Sequence, residues 1–125
     1  MLPADHRLTS PHSFRHASRA GRRSGARTLM THLVVEEPAA GAVPRIGFVV
    51  SKAVGSAVTR NRVKRRLRHA VRERVAGLPP ESLLVVRALP AAATASYVEL
   101  AADLDRCLER SLGSVSDTGS GRVAR

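Results

Sequence analysis

Residues 58–76 constrain the fold more than any other part of the chain, because they divide cleanly when placed on a helical wheel. One arc collects the apolar residues, which are Val63, Leu67, Ala70, Val71 and Val75. A glycine and two prolines follow the segment within residues 77–80 and are typical of a helix end. The pattern predicts a helix that packs its apolar arc on a core and turns the other arc to solvent.

The second arc of this helix is basic. It carries Asn61, Arg62, Arg65, Arg66, Arg68, His69 and Arg72, with Lys64 near its edge. Between Arg60 and Arg74 there are eight Lys and Arg residues and one acid, Glu73. A solvated helix face usually mixes both signs, whereas a one-signed arc indicates a polyanionic partner.

The whole chain has the same bias, with 21 Lys and Arg against 10 Asp and Glu and a formal net charge of +11. All but two of these bases are arginine, whose planar guanidinium matches phosphate geometry better than the point charge of lysine does. Nucleic acid is therefore the expected partner.

Three apolar segments, residues 28–35, 45–51 and 82–89, are rich in β-branched side chains and are predicted to be strands. We expect the first two to form a hairpin with a loose connection. The order strand, helix, strand around residues 58–76 indicates a crossover that joins parallel strands.

A last helix is predicted to begin after Ser96, which forms a capping box with Glu99. Its apolar stripe consists of Tyr97, Leu100, Ala101, Leu104, Leu108 and Leu112. We therefore expect one domain over residues 1–112 and a disordered tail over residues 113–125.

The first 28 residues allow two interpretations, because they are rich in Arg and Ser and nearly free of acids. One is an organellar transit peptide. The other, which we prefer, is a short helix with Ser10 as N-cap, Pro11 at its first position and Phe14 on its apolar side.

Protein-based catalysis finds no support in the sequence. The acids Glu36, Glu37, Asp103, Asp105 and Glu109 have no converging His or Lys and are expected to be surface charges, and no histidine spacing indicates a metal site. Cys107 is the only cysteine, which excludes an internal disulfide; we expect it to be a buried filler in a reducing, cytoplasmic environment. No apolar run is long enough to span a membrane. We predict no catalytic residue and no metal ligand.

The segment SKAVGSAVTRNRVKRRLRHAVRE resembles the signature of the protein subunit of bacterial ribonuclease P, with Arg60-Asn61-Arg62 at its centre. The resemblance extends to RIGFVV, SLLVVRALP and RLTSPHSF and covers roughly residues 7–112. It implies an α+β fold, a two-layer α/β sandwich of the ribosomal protein S5 domain 2-like type. It also implies a small mixed sheet and a left-handed βαβ crossover.

The resemblance further implies a subunit that works with a catalytic RNA to remove the 5′ leader of precursor tRNA. The RNA would perform the chemistry and would hold most of any Mg²⁺. The residues that match the RNA-binding role are Arg60, Asn61, Arg62, Lys64, Arg65 and Arg68, to which the basic arc adds Arg72.

Phe14 and Lys52 match the role of binding the single-stranded leader in a cleft between the first helix and the sheet, and we add His32 as a third candidate. The family usually has aromatic residues where this chain has Ser18 and His32, and a serine cannot stack on a base. His32 could either stack on the leader or have a structural role.

Two other partners are compatible with the charge alone. A ribosomal or other structural RNA-binding protein would carry a similar basic arc. A DNA-binding protein is less well supported, because no helix-turn-helix partner or dimer seam accompanies the basic helix.

Overall fold

The computed structural model describes residues 22–36 and 40–120, with side chains described as far as residue 112. Four strands and two helices form its frame: β1 (Arg22–Gly25), β2 (Leu29–Val35), β3 (Arg45–Val49), α1 (Ala57–Arg72), β4 (Ser82–Ala88) and α2 (Tyr97–Ser120). The predicted first helix, with Ser10, Phe14 and Ser18, lies outside the described residues.

The strands form one mixed sheet in the order β1-β2-β4-β3. Pairing is antiparallel between β1 and β2 and between β2 and β4, and parallel between β3 and β4. The predicted crossover through the basic helix is confirmed, since α1 joins the parallel strands β3 and β4.

The predicted hairpin of β2 with β3 is wrong, because β4 lies between them. The LLVV run of β4 is apolar without alternation and is buried on both faces, which suits an interior strand. β1 was not predicted, because its residues RRSG have no apolar alternation to indicate a strand.

Both helices pack on one face of the sheet, and the main core lies between the two layers. Its fully buried side chains come from every layer: Leu29 and Leu33 from β2, Leu84 and Val86 from β4, Val63 and Leu67 from α1, and Leu100 and Leu104 from α2. Burying each large aliphatic side chain contributes about 1.5–3 kcal/mol, so this aliphatic core needs few aromatic residues.

Local signals define where the helices begin. At α1, the Ser56 hydroxyl accepts a hydrogen bond from the Thr59 amide at 3.2 Å. At α2 the predicted capping box is confirmed, because the Glu99 amide donates to the Ser96 hydroxyl at 3.1 Å and the Ser96 amide to the Glu99 carboxylate at 2.9 Å.

The ends of the helices differ from the prediction. α1 ends at Arg72, and a separate 3₁₀ turn, Val75–Gly77, follows it. α2 continues to Ser120 rather than ending near residue 112. Gly113 weakens a helix by only about 1 kcal/mol, and no proline follows to interrupt it. The division of the chain at residue 112 stays a prediction.

Asp103 is a structural residue, and its assignment as surface charge was wrong. It is 4% exposed, accepts hydrogen bonds from the Thr28 amide at 3.1 Å and the Thr28 hydroxyl at 2.6 Å, and pairs with Arg106. Burial acts to raise the pKa of this carboxyl, but the hydrogen bonds from Thr28 and Arg106 outweigh it and hold the pKa below its usual value. Asp103 therefore anchors the turn between β1 and β2 to α2.

The prediction that Cys107 is buried is confirmed, since it is 0% exposed and its thiol donates to the Ser24 carbonyl at 3.6 Å. In the part of the chain that the structure describes, neither helix is long and apolar enough to cross a membrane.

Candidate nucleic-acid interface

The helix α1 has one buried side and one exposed, basic side, as its sequence predicted. Val63, Leu67, Ala70 and Val71 are buried against the sheet and α2. Asn61, Arg65, Arg68 and Arg72 are exposed, and Arg60, Arg62 and Lys64 are half-buried at the edges. The structure thus brings all seven predicted RNA-binding residues onto one helix. From here on, the basic arc means only Asn61, Arg65, Arg68 and Arg72 together with Lys64, which are part of the larger arc predicted from sequence.

The cations of the basic arc are not neutralised within the described residues. No ion pair there involves Lys64, Arg65, Arg68 or Arg72. Each pair of like charges one turn apart destabilises a helix by about 0.2–0.5 kcal/mol. A bound polyanion would relieve that repulsion.

Glu73, the one acid of this stretch, faces the other helix. Its carboxylate accepts a hydrogen bond from the Tyr97 hydroxyl at 3.0 Å and lies 3.5 Å from His69 Nε2 and 3.7 Å from Arg74 Nη1. The His69 ring also meets the Tyr97 ring edge to face, with 5.4 Å between centroids. The pKa of Tyr97 is raised mainly by burial and, to a smaller extent, by the hydrogen bond to Glu73.

Arg74 is half-buried and joins the two helices. Its Nε and Nη2 donate to the two oxygens of Asp105 at 2.5 and 3.2 Å, and its Nη1 donates to the Ala70 carbonyl at 2.8 Å. The hydrogen bond from Arg74 lowers the pKa of Asp105. Asp105 is therefore a structural partner and more than a surface charge.

Arg60, Arg62 and Arg66 also donate to backbone carbonyls. Arg60 Nε donates to Gly55 at 3.1 Å, Arg62 Nη2 to Ala93 at 3.0 Å and Arg66 Nη1 to Ala95 at 2.9 Å. Arg66 belongs to the cationic arc predicted from sequence but is not among the residues predicted individually to bind RNA. Its signal was its place one turn after Arg62 on the same helix face.

The predicted leader-binding residues lie elsewhere. His32, on β2, is in register with Arg23 on β1 and Val85 on β4, and is only 6% exposed. Lys52 is exposed in the 3₁₀ turn Lys52–Val54 that follows β3. Phe14 lies outside the described residues, so the three are not seen together. The burial of His32 favours its structural alternative, because a ring so covered offers little face to a base.

The side chain of His32 belongs to the face of the sheet opposite the helices, which we call the far face. A second buried cluster, formed by Leu83 and Val85 with Val34 and Val49 against them, marks this face. The register places three arginines on it as well: Arg23 opposite His32, Arg87 opposite Val49, and Arg45 opposite Leu83. Sequence analysis missed these arginines, because their common face follows only from the strand pairing.

Together the fold and this surface define a small, basic α+β protein with a long cationic helix face suited to a phosphate backbone. The family model for ribonuclease P matches residues 2–112. The chain is 61% identical over 110 residues to the ribonuclease P protein component of a Nocardioides species, covering 88% of this chain and 94% of that one. It is 55% identical over 119 residues to that of Streptomyces avermitilis, covering 90% and 97%.

Solved structures agree on the fold. The Staphylococcus aureus RNase P protein aligns with a TM-score of 0.74 at 21% identity, covering 83% of this chain and 93% of that one. The Thermotoga maritima RNase P protein aligns with a TM-score of 0.70 at 20% identity, covering 83% and 96%.

The chain belongs to the ribonuclease P protein family. It is the subunit of an endoribonuclease and works with an RNA subunit in processing the 5′ leader of tRNA. Family membership decides against the ribosomal and DNA-binding alternatives.

Proposed function

We propose that the basic arc of α1 is the surface that binds the catalytic RNA. The observation that carries the proposal is the row of exposed arginines without ion-pair partners among the described residues. The buried arc of α1 holds the helix on the sheet, so the guanidinium groups of Arg65, Arg68 and Arg72 are displayed from a rigid support. Rigid donors match a folded RNA backbone at a smaller entropic cost than donors on a loop do.

The precursor tRNA would lie against the far face. Arg23 and Arg87 would supply cations there for the phosphates of a single-stranded leader, and Lys52, exposed in the turn after β3, is a further candidate. Phe14 remains the candidate for stacking on a base, whereas His32 supports the sheet beneath the leader. Because Ser18 cannot stack, we expect the leader to be held more by phosphate contacts than by stacking.

The protein would not supply a catalytic metal ion. Among the side chains of residues 22–36 and 40–112, no three His, Cys, Asp or Glu residues lie together as ligands. Mg²⁺ keeps several of its waters and usually takes only one or two carboxylates together with phosphates, so we assign it mainly to the phosphate-rich RNA. We place the particle in the cytoplasm, where the reduced, buried Cys107 is stable.

Reconstitution tests the proposed function. Purified protein should leave precursor tRNA intact, and the protein with catalytic RNA should remove the leader at moderate salt and low Mg²⁺ faster than the RNA alone. The protein would act by screening the repulsion between two polyanions. Leader removal by the protein alone, or no gain in rate over the RNA alone, would refute the proposal.

A further inference from the structure

A groove separates α1 from the turn that leads into α2. Arg62 and Arg66 form one wall, and residues 93–96 form the other. Its volume is about 420 Å³, and it is open to solvent. Sites for small ligands span about 300–1,000 Å³, so this groove can accommodate a phosphate group with part of its nucleotide.

The two arginines of the groove are already ordered. Arg62 donates to the Ala93 carbonyl at 3.0 Å and Arg66 to the Ala95 carbonyl at 2.9 Å. A guanidinium carries about five N–H donors, and each of these hydrogen bonds uses one. Most of the donors of both groups therefore remain for a ligand, and their fixed position lowers the entropic cost of binding.

Glu99 is the one acid that lines the groove, and its charge is engaged by other groups. One carboxylate oxygen accepts from the Ser96 amide at 2.9 Å, and the other pairs with Arg27 at 3.3 Å. The two guanidinium groups consequently face an acid that Arg27 already balances. The groove favours an anion.

We propose that this groove is a subsite for one phosphodiester group of an RNA strand, with Arg66 as its central ligand and Arg62 beside it. The proposal rests on the binding of RNA by α1 and extends it past the basic arc to the side of the helix that faces α2. The strand comes either from the catalytic RNA or from precursor tRNA, and these share the chemistry that the groove recognises.

Substitution of Arg66 tests the subsite. Arg66→Gln removes the charge but keeps an amide that can donate to the Ala95 carbonyl, and Arg66→Lys keeps the charge but loses the planar fork. Arg110→Gln is the matched control, because Arg110 is an exposed arginine of α2 that also donates to a backbone carbonyl, that of Gly25 at 2.8 Å.

We expect Arg66→Gln to weaken RNA binding roughly tenfold, the lower range for a lost charge-assisted hydrogen bond. Arg66→Lys should weaken it less, and Arg110→Gln should leave it unchanged. Affinity is measured separately for catalytic RNA and for precursor tRNA on the assembled particle. The RNA whose affinity falls is the one that occupies the groove.

A second measurement does not depend on the stability of the Arg66 variants. An iron chelate on Thr94→Cys, at an exposed groove residue, generates hydroxyl radicals that cut nearby RNA, while Cys107 is 0% exposed and does not take the label. Cuts in one RNA that are absent with the same label on Arg110→Cys support the subsite.

The outcomes separate this proposal from the proposed function. If Arg65→Ala and Arg68→Ala weaken binding while Arg66→Gln matches its control and Thr94→Cys gives no specific cuts, the groove proposal fails and the basic arc stands. If none of these variants changes binding, both proposals fail.

Discussion

The basic arc leads to a quantitative prediction for the double variant Arg65→Ala/Arg68→Ala. Both side chains are exposed and form no ion pair among the described residues, so each is free to contact one phosphate. Each phosphate contact contributes about 0.7–0.9 to the slope of log K against log salt, through release of counterions. The double variant should therefore lower the magnitude of the slope for catalytic RNA by about 1.6.

The slope change sets the loss of affinity. We take the two proteins to bind RNA equally at about 1 M salt, where counterion release no longer drives binding. A tenfold decrease in the salt concentration then separates their binding constants by about 1.6 log units. At about 0.1 M salt the double variant should bind roughly 40-fold more weakly, a loss of about 2.2 kcal/mol in binding free energy. Each single variant should give about half of this loss.

Filter binding or fluorescence anisotropy over a salt series measures both quantities. Arg110→Ala serves as the control, since it removes an exposed arginine of α2 and should leave the slope unchanged. Unfolding curves should match those of the unsubstituted protein, because removing like charges from an exposed helix face does not weaken it. An unchanged slope in the double variant, or an equal decrease in Arg110→Ala, would refute the assignment of the RNA surface to α1.

Three further predictions concern the helix contacts and the far face. Asp103→Ala should lower the free energy of unfolding by about 3 kcal/mol, measured in urea, because the amide and hydroxyl of Thr28 stay buried without an acceptor. Asp103→Asn should lower it less, and the control Glu109→Ala should not change it measurably. The pKa values of Asp103 and Asp105 are lowered in the folded state, so the stability that these carboxylates contribute is present above pH 3.8, their usual pKa, and is lost as the pH falls through their pKa values in the folded protein. Unfolding midpoints that do not change on acidification would contradict this. Arg87→Ala should weaken binding of precursor tRNA to the assembled particle but leave mature tRNA unaffected, and an equal loss for both would remove Arg87 from the leader site.

The basic helix could be predicted from sequence because its evidence is local. The spacing of Val63, Leu67, Ala70 and Val71 identifies the buried side, and the Ser96 and Glu99 pair identifies the start of α2. Each signal lies within one or two helical turns, where side chains at fixed spacing share a face. The parallel crossover followed from the order of the elements alone.

Strand pairing and the far face could not be predicted in the same way, because they depend on contacts between distant parts of the chain. The order of β2 and β3 along the chain predicts a hairpin, and only the two-sided burial of β4 shows why that strand lies between them. Asp103 was misassigned for the same reason, since its partner Thr28 lies 75 residues away.

The position of the arginines on the two faces bears on the proposal that one small domain contacts two RNA molecules. α1 covers one face of the sheet, and Arg23 and Arg87 lie on the other, so a strand bound to the far face does not compete for the basic arc. The thickness of the sheet separates the two sets of cations, and the core between them excludes water. If the catalytic RNA and the leader bind to opposite faces as we propose, each surface would screen the repulsion between them with its own arginines.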